Sequence, residues 1–290
     1  MRKKSIVMLT IFLAFTLVMA GCGNGAEKAQ TVKLTYVNWD SEIASTNVAK
    51  AVLQEKMGYD VELISVDEAP MWQSVALGDS DGNVASWLPT TSEHYWERFK
   101  DEVVDLGPNL EGTVIGLVVP EYVEAESIAE LNEYADQFDN RIYGIDPGAG
   151  IMTSTEEAMD VYGLNENYEL VTSSDAAMTA TLSGAIDNEE WIIVTGWTPH
   201  WMFASWDLKY LEDPENVFGQ EEYINTIVRE GLEEDMPEVY AFLDNFYWEP
   251  SDMEQVMVWN LEDGADPYEN AVRWIEENPE KVESWIPEAE

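Results

Sequence analysis

Short apolar blocks alternate with amphipathic stretches along most of this 290-residue chain. Blocks with a period near two, rich in β-branched and aromatic side chains, predict strands at 31–37, 60–66, 83–87, 141–145, 169–172 and 191–195, with a further apolar run at 113–119. Stretches whose apolar residues recur every three or four positions predict helices at 42–57, just after Pro70, and at 92–100, 128–138, 151–162 and 174–184. Such alternation implies βαβ units and parallel sheet, hence an α/β fold. From Gln220 onward the pattern predicts helices only, with Pro237, Pro250, Pro267 and Pro279 at helix starts, where a missing N–H costs nothing.

The two βα groups predict two lobes with a ligand cleft between them. Residues 31–115 and 212–290 form the first lobe, and 116–211 the second. The run 113–123 carries the chain across, and 206–214 carries it back. Ligands of such folds enter the crevice at the C-terminal ends of the strands.

The first thirty residues follow a different pattern. Arg2, Lys3 and Lys4 precede an apolar run over 5–20, which is too short to span a bilayer comfortably and reads as a signal peptide over 1–21. Met19-Ala20-Gly21-Cys22 has small residues before a cysteine, as in a lipoprotein processing box, so Cys22 is the expected lipidation site and 22–30 a flexible tether. Cys22 is the only cysteine, which excludes an internal disulfide.

Charge narrows the function classes. The chain carries 58 acidic against 14 basic residues, a net −44, and loss of the three basic leader residues makes it −47. Nucleic acid and anionic lipid surfaces are thereby excluded as main partners. So high a charge repels itself at low salt and suits a salty exterior or the attraction of cations.

Three tryptophans fall at strand ends before turn-like residues: Trp39 in Val37-Asn38-Trp39-Asp40, Trp87 in Ser86-Trp87-Leu88-Pro89, and Trp197 in Gly196-Trp197-Thr198-Pro199. A cage of indoles suits a methylated ammonium, which has no N–H to donate and is drawn to aromatic faces by about 0.5–2 kcal/mol per ring. Any one of the 12 tryptophans is more simply core. On pattern alone, cage and core stay equally open for these three. A second element is the turn Asp146-Pro147-Gly148-Ala149-Gly150-Ile151, where the free N–H groups of a helix start attract an anion. A Thr153–Glu156 capping box would start that helix slightly later. Asp79-Ser80-Asp81-Gly82-Asn83 lacks the spacing of a calcium loop and reads as a surface turn. His200 lies beside aromatics and reads as structural. Two histidines and one cysteine supply no nucleophile–base pair and no metal-ligand spacing.

These residues carry a resemblance that covers nearly all of the mature chain. Segments 36–46, 87–91, 144–152 and 193–203 resemble the glycine betaine-binding proteins of ABC-type importers, close to the OpuA-type binding lipoproteins. The resemblance implies a two-lobe periplasmic-binding-protein fold that closes on its ligand and uses no cofactor or metal. It implies an aromatic box of Trp39, Trp87 and Trp197 around a trimethylammonium, with the backbone N–H groups of Gly150 and Ile151 on the carboxylate. The expected ligand is glycine betaine, with proline betaine as a further one and carnitine or choline as alternatives. An extracytoplasmic enzyme acting on such an amine is the remaining alternative. The expected partners are an importer permease and, through the lipid, the outer face of the cell membrane. In that family a histidine follows the Trp-Leu-Pro-x-Thr segment and touches the carboxylate. Here Ser92 occupies that place and His94 lies two residues on, so the side-chain donor is Ser92, preferred by alignment, or His94.

Overall fold

The computed structural model describes residues 30–288. The expected leader, Cys22 and most of the tether lie outside these residues. Strand β1 (Thr31–Tyr36) pairs in parallel with β2 (Asp60–Ser65) in register and touches β3 (Gly82–Leu88), and α1 (Asp40–Ala51) and α2 (Glu68–Ala76) make the crossovers. Every residue of β3 is buried, as expected of a central strand covered on both faces. Helix α1 ends in a π turn over Val52–Lys56, and α3 (Glu93–Phe99) follows β3.

Strand β4 (Val103–Pro120) joins the two halves of the molecule. Its first part pairs with β9 (Glu222–Arg229) from Val103 to Thr113, and its second part with β7 (Val194–Thr198) from Val114 to Val118. The whole sheet runs β2-β1-β3-β9-β4-β7-β5-β6, where β5 is Arg141–Tyr143, β6 is Glu169–Val171, and the short β8 (Leu208–Tyr210) pairs with β4. Register shifts cluster in the first part of β4, one of them at Pro108, which has no N–H for the ladder. Helices α4 (Gly150–Val161), α5 (Asp175–Asp187) and α6 (Met202–Ser205) belong with the second half. The result is the expected two-lobe α/β fold with a cleft between the lobes.

Several details differ from the pattern reading. The sheet is mixed, because β9 runs antiparallel to β3 and β4, and β4 runs antiparallel to β7, which is itself parallel to β5. Strand β9 lies where only helices are expected. Its run Ile224-Asn225-Thr226-Ile227-Val228 is buried on both faces, so it lacks the alternation that marks a half-exposed strand. The apolar run at 113–119 is the end of a strand of 18 residues. The stretch 128–138 forms two 3-10 turns, Ile128–Glu133 and Ala135–Phe138, in place of one helix. The expected strand at 191–195 sits later, at Val194–Thr198. Segment 79–83 is no surface turn: Asp81 is buried, accepts from the Lys33 N–H and pairs with Arg229 at 2.8 Å.

The four C-terminal prolines stand as the pattern predicts. Each is the first residue of a helix, in α8 (Pro237–Asn245) after the one-turn α7 (Leu232–Asp235), α9 (Pro250–Asn260), α10 (Pro267–Glu277) and α11 (Pro279–Trp285). Asp266 caps α10 by accepting from the N–H groups of Tyr268 and Glu269. Trp248, Trp274 and Trp285 stack among these helices and are fully or almost fully buried, so for them the core reading holds. Helices α9 and α10 pack on α1, and Tyr268 at the start of α10 bonds Gln54 and Glu55 just after α1. Among the described residues no helix is long and apolar enough to cross a membrane.

Candidate functional site

Trp39 is the N-cap of α1, Trp87 is the penultimate residue of β3, and Trp197 is the penultimate residue of β7. Strands of one half deliver the first two and a strand of the other half delivers the third. All three are buried, and with Thr91, Ile115, Ile145 and Ile151 they line one narrow pocket. The rings of Trp39 and Trp197 stand 6.1 Å apart, tilted by 50°.

Each indole N–H is committed to an acceptor inside the protein. Trp87 Nε1 donates to Glu42 Oε1 at 2.7 Å, and Trp39 Nε1 donates to Asp146 Oδ2 at 3.1 Å. Trp197 Nε1 donates to Ser41 Oγ at 3.1 Å, and the Ser41 hydroxyl donates in turn to Glu42. One buried carboxylate on the first turn of α1 therefore orients two rings from opposite sides of the cleft. Burial pushes the Glu42 carboxyl up to about 7, although the Ser41 and Trp87 hydrogen bonds oppose the shift. With their N–H groups occupied, the rings present only π faces and edges to the pocket.

The glycine turn lies on the same side of the cleft as Trp197. Gly148 adopts φ of +90°, which folds the chain back before Ala149 caps α4 without a side-chain bond. The helix starts at Gly150, so the Thr153–Glu156 capping box does not form and Gly150 and Ile151 are its first two residues. First-turn N–H groups have no carbonyl four residues back to bond. A Cβ at Gly150 would stand 2.1 Å from Thr91 O, so only glycine permits this close approach of the two lobes.

The expected donors beside this turn behave differently from one another. Ser92 is buried and its hydroxyl donates to Glu68 Oε1. His94 is exposed and packs against Tyr95, with ring centroids 3.9 Å apart, away from the pocket lining. Glu68, unmarked by the sequence pattern, reaches across the cleft: its Oε2 accepts the Gly150 N–H at 3.0 Å. Its carboxyl is raised to about 7 by burial, against the Ser92 and Gly150 hydrogen bonds.

Further bonds tie the lobes together around the pocket. Tyr95 Oη donates to Gly148 O at 2.8 Å, Trp201 Nε1 to Asp40 Oδ2 at 2.6 Å, and the Asp40 N–H to Asp175 Oδ2 at 3.0 Å. His200 is structural here. Its Nδ1 accepts the Met202 N–H, its Nε2 faces Asp175 Oδ1 at 3.3 Å, and its ring meets Trp197 edge-on. Asp40, Asp175 and His200 bring ligand-type atoms within 4.8 Å, but these groups already serve one another and Trp201. Burial, with the Asp175 charge next, raises the Asp40 carboxyl.

Sequence reasoning missed the carboxylates that hold the rings. Glu42 stands three residues after Trp39 in a helix, and so faces the same way, which is a usable signal. Asp146 and Glu68 carry none, since only tertiary contact brings them to the site.

Residues 30–277 match a family described as the substrate binding domain of ABC-type glycine betaine transport system. The glycine betaine/carnitine transport binding protein GbuC of Listeria monocytogenes serotype 1/2a (strain 10403S) is 52% identical over 154 residues, which are 53% of this chain and 51% of that relative. The alignment thus spans about half the length of that curated relative. Two solved structures are similar over most of the chain. The glycine betaine, L-proline ABC transporter binding protein (ProX) of Borrelia burgdorferi has TM-score 0.87 and 46% identity, covering 89% of this chain and 97% of its own. Lactococcal OpuAC, in its closed-liganded conformation with glycine betaine, has TM-score 0.85 and 44% identity, covering 89% and 100%.

Proposed function

Since the chain belongs to the family of substrate-binding domains of ABC-type glycine betaine transport systems, we propose that it captures glycine betaine in the pocket of Trp39, Trp87 and Trp197 and presents it, outside the cytoplasm, to an importer permease. The observation that carries this reading is the state of the three indoles. Their N–H groups are bonded inward, to Glu42, Ser41 and Asp146, so the pocket offers π faces and the isoleucine walls of Ile115, Ile145 and Ile151. A trimethylammonium has methyl groups for those walls and positive charge for those faces, and needs no hydrogen-bond acceptor. The Glu42 carboxyl behind Trp87 adds a negative source on the same side.

Three rings supply at most about 6 kcal/mol, whereas micromolar affinity needs about 8.2 kcal/mol. A second anchor is required, and the N–H groups of Gly150 and Ile151, beside the cage, provide one for the ligand carboxylate. The lobes, taken as 31–115 with 212–290 and as 116–211, close over the ligand, because each contributes part of the cage. The protein works as a receptor, with no catalytic step. A lipid on Cys22, after removal of a signal peptide over 1–21, would keep it at the outer face of the membrane, with 22–30 as tether.

Titration calorimetry with glycine betaine, then carnitine and choline, tests the reading. Saturable one-to-one binding of betaine, with choline weaker for want of a carboxylate, is the expected result. Choline binding more tightly than betaine would overturn the Gly150–Ile151 anchor, and no response to any of the three would overturn the cage.

A further inference from the structure

The N–H that is expected to hold a ligand carboxylate already holds one that belongs to the protein. Glu68 Oε2 accepts from Gly150 N at 3.0 Å, and Glu68 Oε1 accepts from the Ser92 hydroxyl. Glu68 stands on the first turn of α2, 4% exposed, and lines the part of the cleft shared with Trp39, Asp146, Pro147 and Ala149. Both of its hydrogen-bond donors are neutral groups. Other acidic or titratable groups face it from each neighbouring element. Glu222 comes from β9, Tyr95 from α3, Asp146 from the turn before α4, and Asp67 lies beside it. Glu222 is itself fixed by the Thr90 and Thr91 N–H groups and the Thr91 hydroxyl, so it cannot turn away.

A carboxylate-bearing ligand approaching the Gly150 turn therefore meets a second carboxyl group within hydrogen-bond reach. Two carboxylates so close cannot both stay ionised in a buried site; they share a proton. A zwitterion keeps its own carboxylate ionised in neutral solution, so the proton must sit on Glu68, taken from solvent water or buffer. A protonated Glu68 can then donate to the ligand carboxylate while still accepting from Ser92. We infer that Glu68 makes capture of a carboxylate-bearing ligand proton-coupled: the ligand takes over the Gly150 N–H, and Glu68 picks up one proton and becomes a donor to it. This rests on the reading of the cleft as a betaine site, and it extends that reading to specificity. Glu68 sets the pH range in which the site prefers a zwitterion to a plain quaternary amine. The carboxyl's raised value, about 7 before ligand arrives, places that range near neutrality.

Glu42 is a second titrating group near the cage, and a cation there favours its ionised form with any quaternary amine. The difference between betaine and choline isolates Glu68. The full chain is titrated with each ligand at pH 6, 7, 8 and 8.5, in two buffers of different ionisation enthalpy. The expected result is a proton uptake with betaine that exceeds that with choline by up to one proton at pH 8. The betaine-to-choline affinity ratio should fall up to tenfold per pH unit above 7. In Glu68→Gln, whose amide keeps a donor at every pH, that difference should vanish and betaine should bind about tenfold more tightly than wild type at pH 8.5. Equal proton counts for the two ligands in the wild type would overturn the inference, and this arm stands even if the variant fails to fold. Choline bound with betaine refused at every pH would overturn the coupling and leave the cage. Neither ligand bound would overturn the functional reading, and the inference with it.

Discussion

Replacing Gly150 by alanine isolates lobe closure from folding. The added Cβ would stand 2.1 Å from Thr91 O, 2.6 Å from Thr91 Cγ2 and 2.7 Å from Thr91 C. Ordinary contact begins near 3.4 Å, so the two segments must part by more than an ångström. Thr91 cannot yield, because its N–H and hydroxyl and the Thr90 N–H are all held by Glu222. The Tyr95–Gly148 bond at 2.8 Å lies at the same contact, and the Trp39–Asp146 bond at 3.1 Å lies beside it. A neutral hydrogen bond contributes about 0.5–1.5 kcal/mol and one to a charged group about 1.5–3, so parting the lobes costs roughly 2–5 kcal/mol of closure energy. Betaine affinity should fall about 30- to several-thousand-fold. Within its own helix, alanine is the better residue, by up to about 1 kcal/mol. The unliganded protein should therefore melt within a few degrees of wild type, while the rise in Tm on adding betaine is lost. Calorimetric titration and paired thermal melts give both numbers. Binding within threefold of wild type would refute the steric argument. A large fall in the unliganded Tm would show that the contact serves folding and not closure.

Ser92→Ala should weaken betaine binding more than His94→Ala, because the Ser92 hydroxyl is buried against Glu68 while His94 is exposed; titration of the two variants in the reverse order would sink this assignment. The buried carboxyls of Glu42 and Glu68 are raised from 4.5 to about 7, so the folded protein holds their protons longer than the unfolded chain does. Their stabilisation is complete below about pH 4.5 and is lost as pH rises to about 7, at roughly 3 kcal/mol for each group. The unliganded Tm measured in 1 M salt, where surface repulsion is screened, should thus be higher at pH 5 than at pH 8, and the Glu42→Gln, Glu68→Gln double variant should flatten the curve. With a net charge of −44, raising NaCl from low concentration to 1 M shortens the Debye length to about 3 Å and should raise the Tm by several degrees; equal stability at both ends would contradict the repulsion argument. Trp201→Phe removes the N–H that bonds Asp40 across the cleft at 2.6 Å, and should raise the betaine Kd about tenfold with little change in unliganded Tm.

The local signals that the sequence carried are those with a local cause. Proline at the first position of α8 to α11 fixes φ and forgoes an unneeded N–H, so each of these helix starts was legible residue by residue. The three tryptophans and the glycine turn stood out because a strand end or a helix start gives a side chain or an N–H its direction. Strand β9 was not legible, since a strand buried on both faces shows no period, and its partners β3 and β4 lie more than a hundred residues away in the chain. The division of β4 between two sheet partners is equally a matter of tertiary pairing.

At the site the same line separates what each level decides. The amino-acid sequence by itself determined which groups exist: indoles at three strand ends, a helix start with free N–H groups, a serine after Thr91, and an acidic surface. Only the tertiary structure decided how they are used. It turned the three indole N–H groups inward onto Glu42, Ser41 and Asp146, gave the Ser92 hydroxyl to Glu68, and set the Glu68 carboxyl on Gly150. Hydrogen bonds between residues 82, 107 or 156 positions apart leave no periodic trace in the chain, because their geometry exists only after two lobes have met.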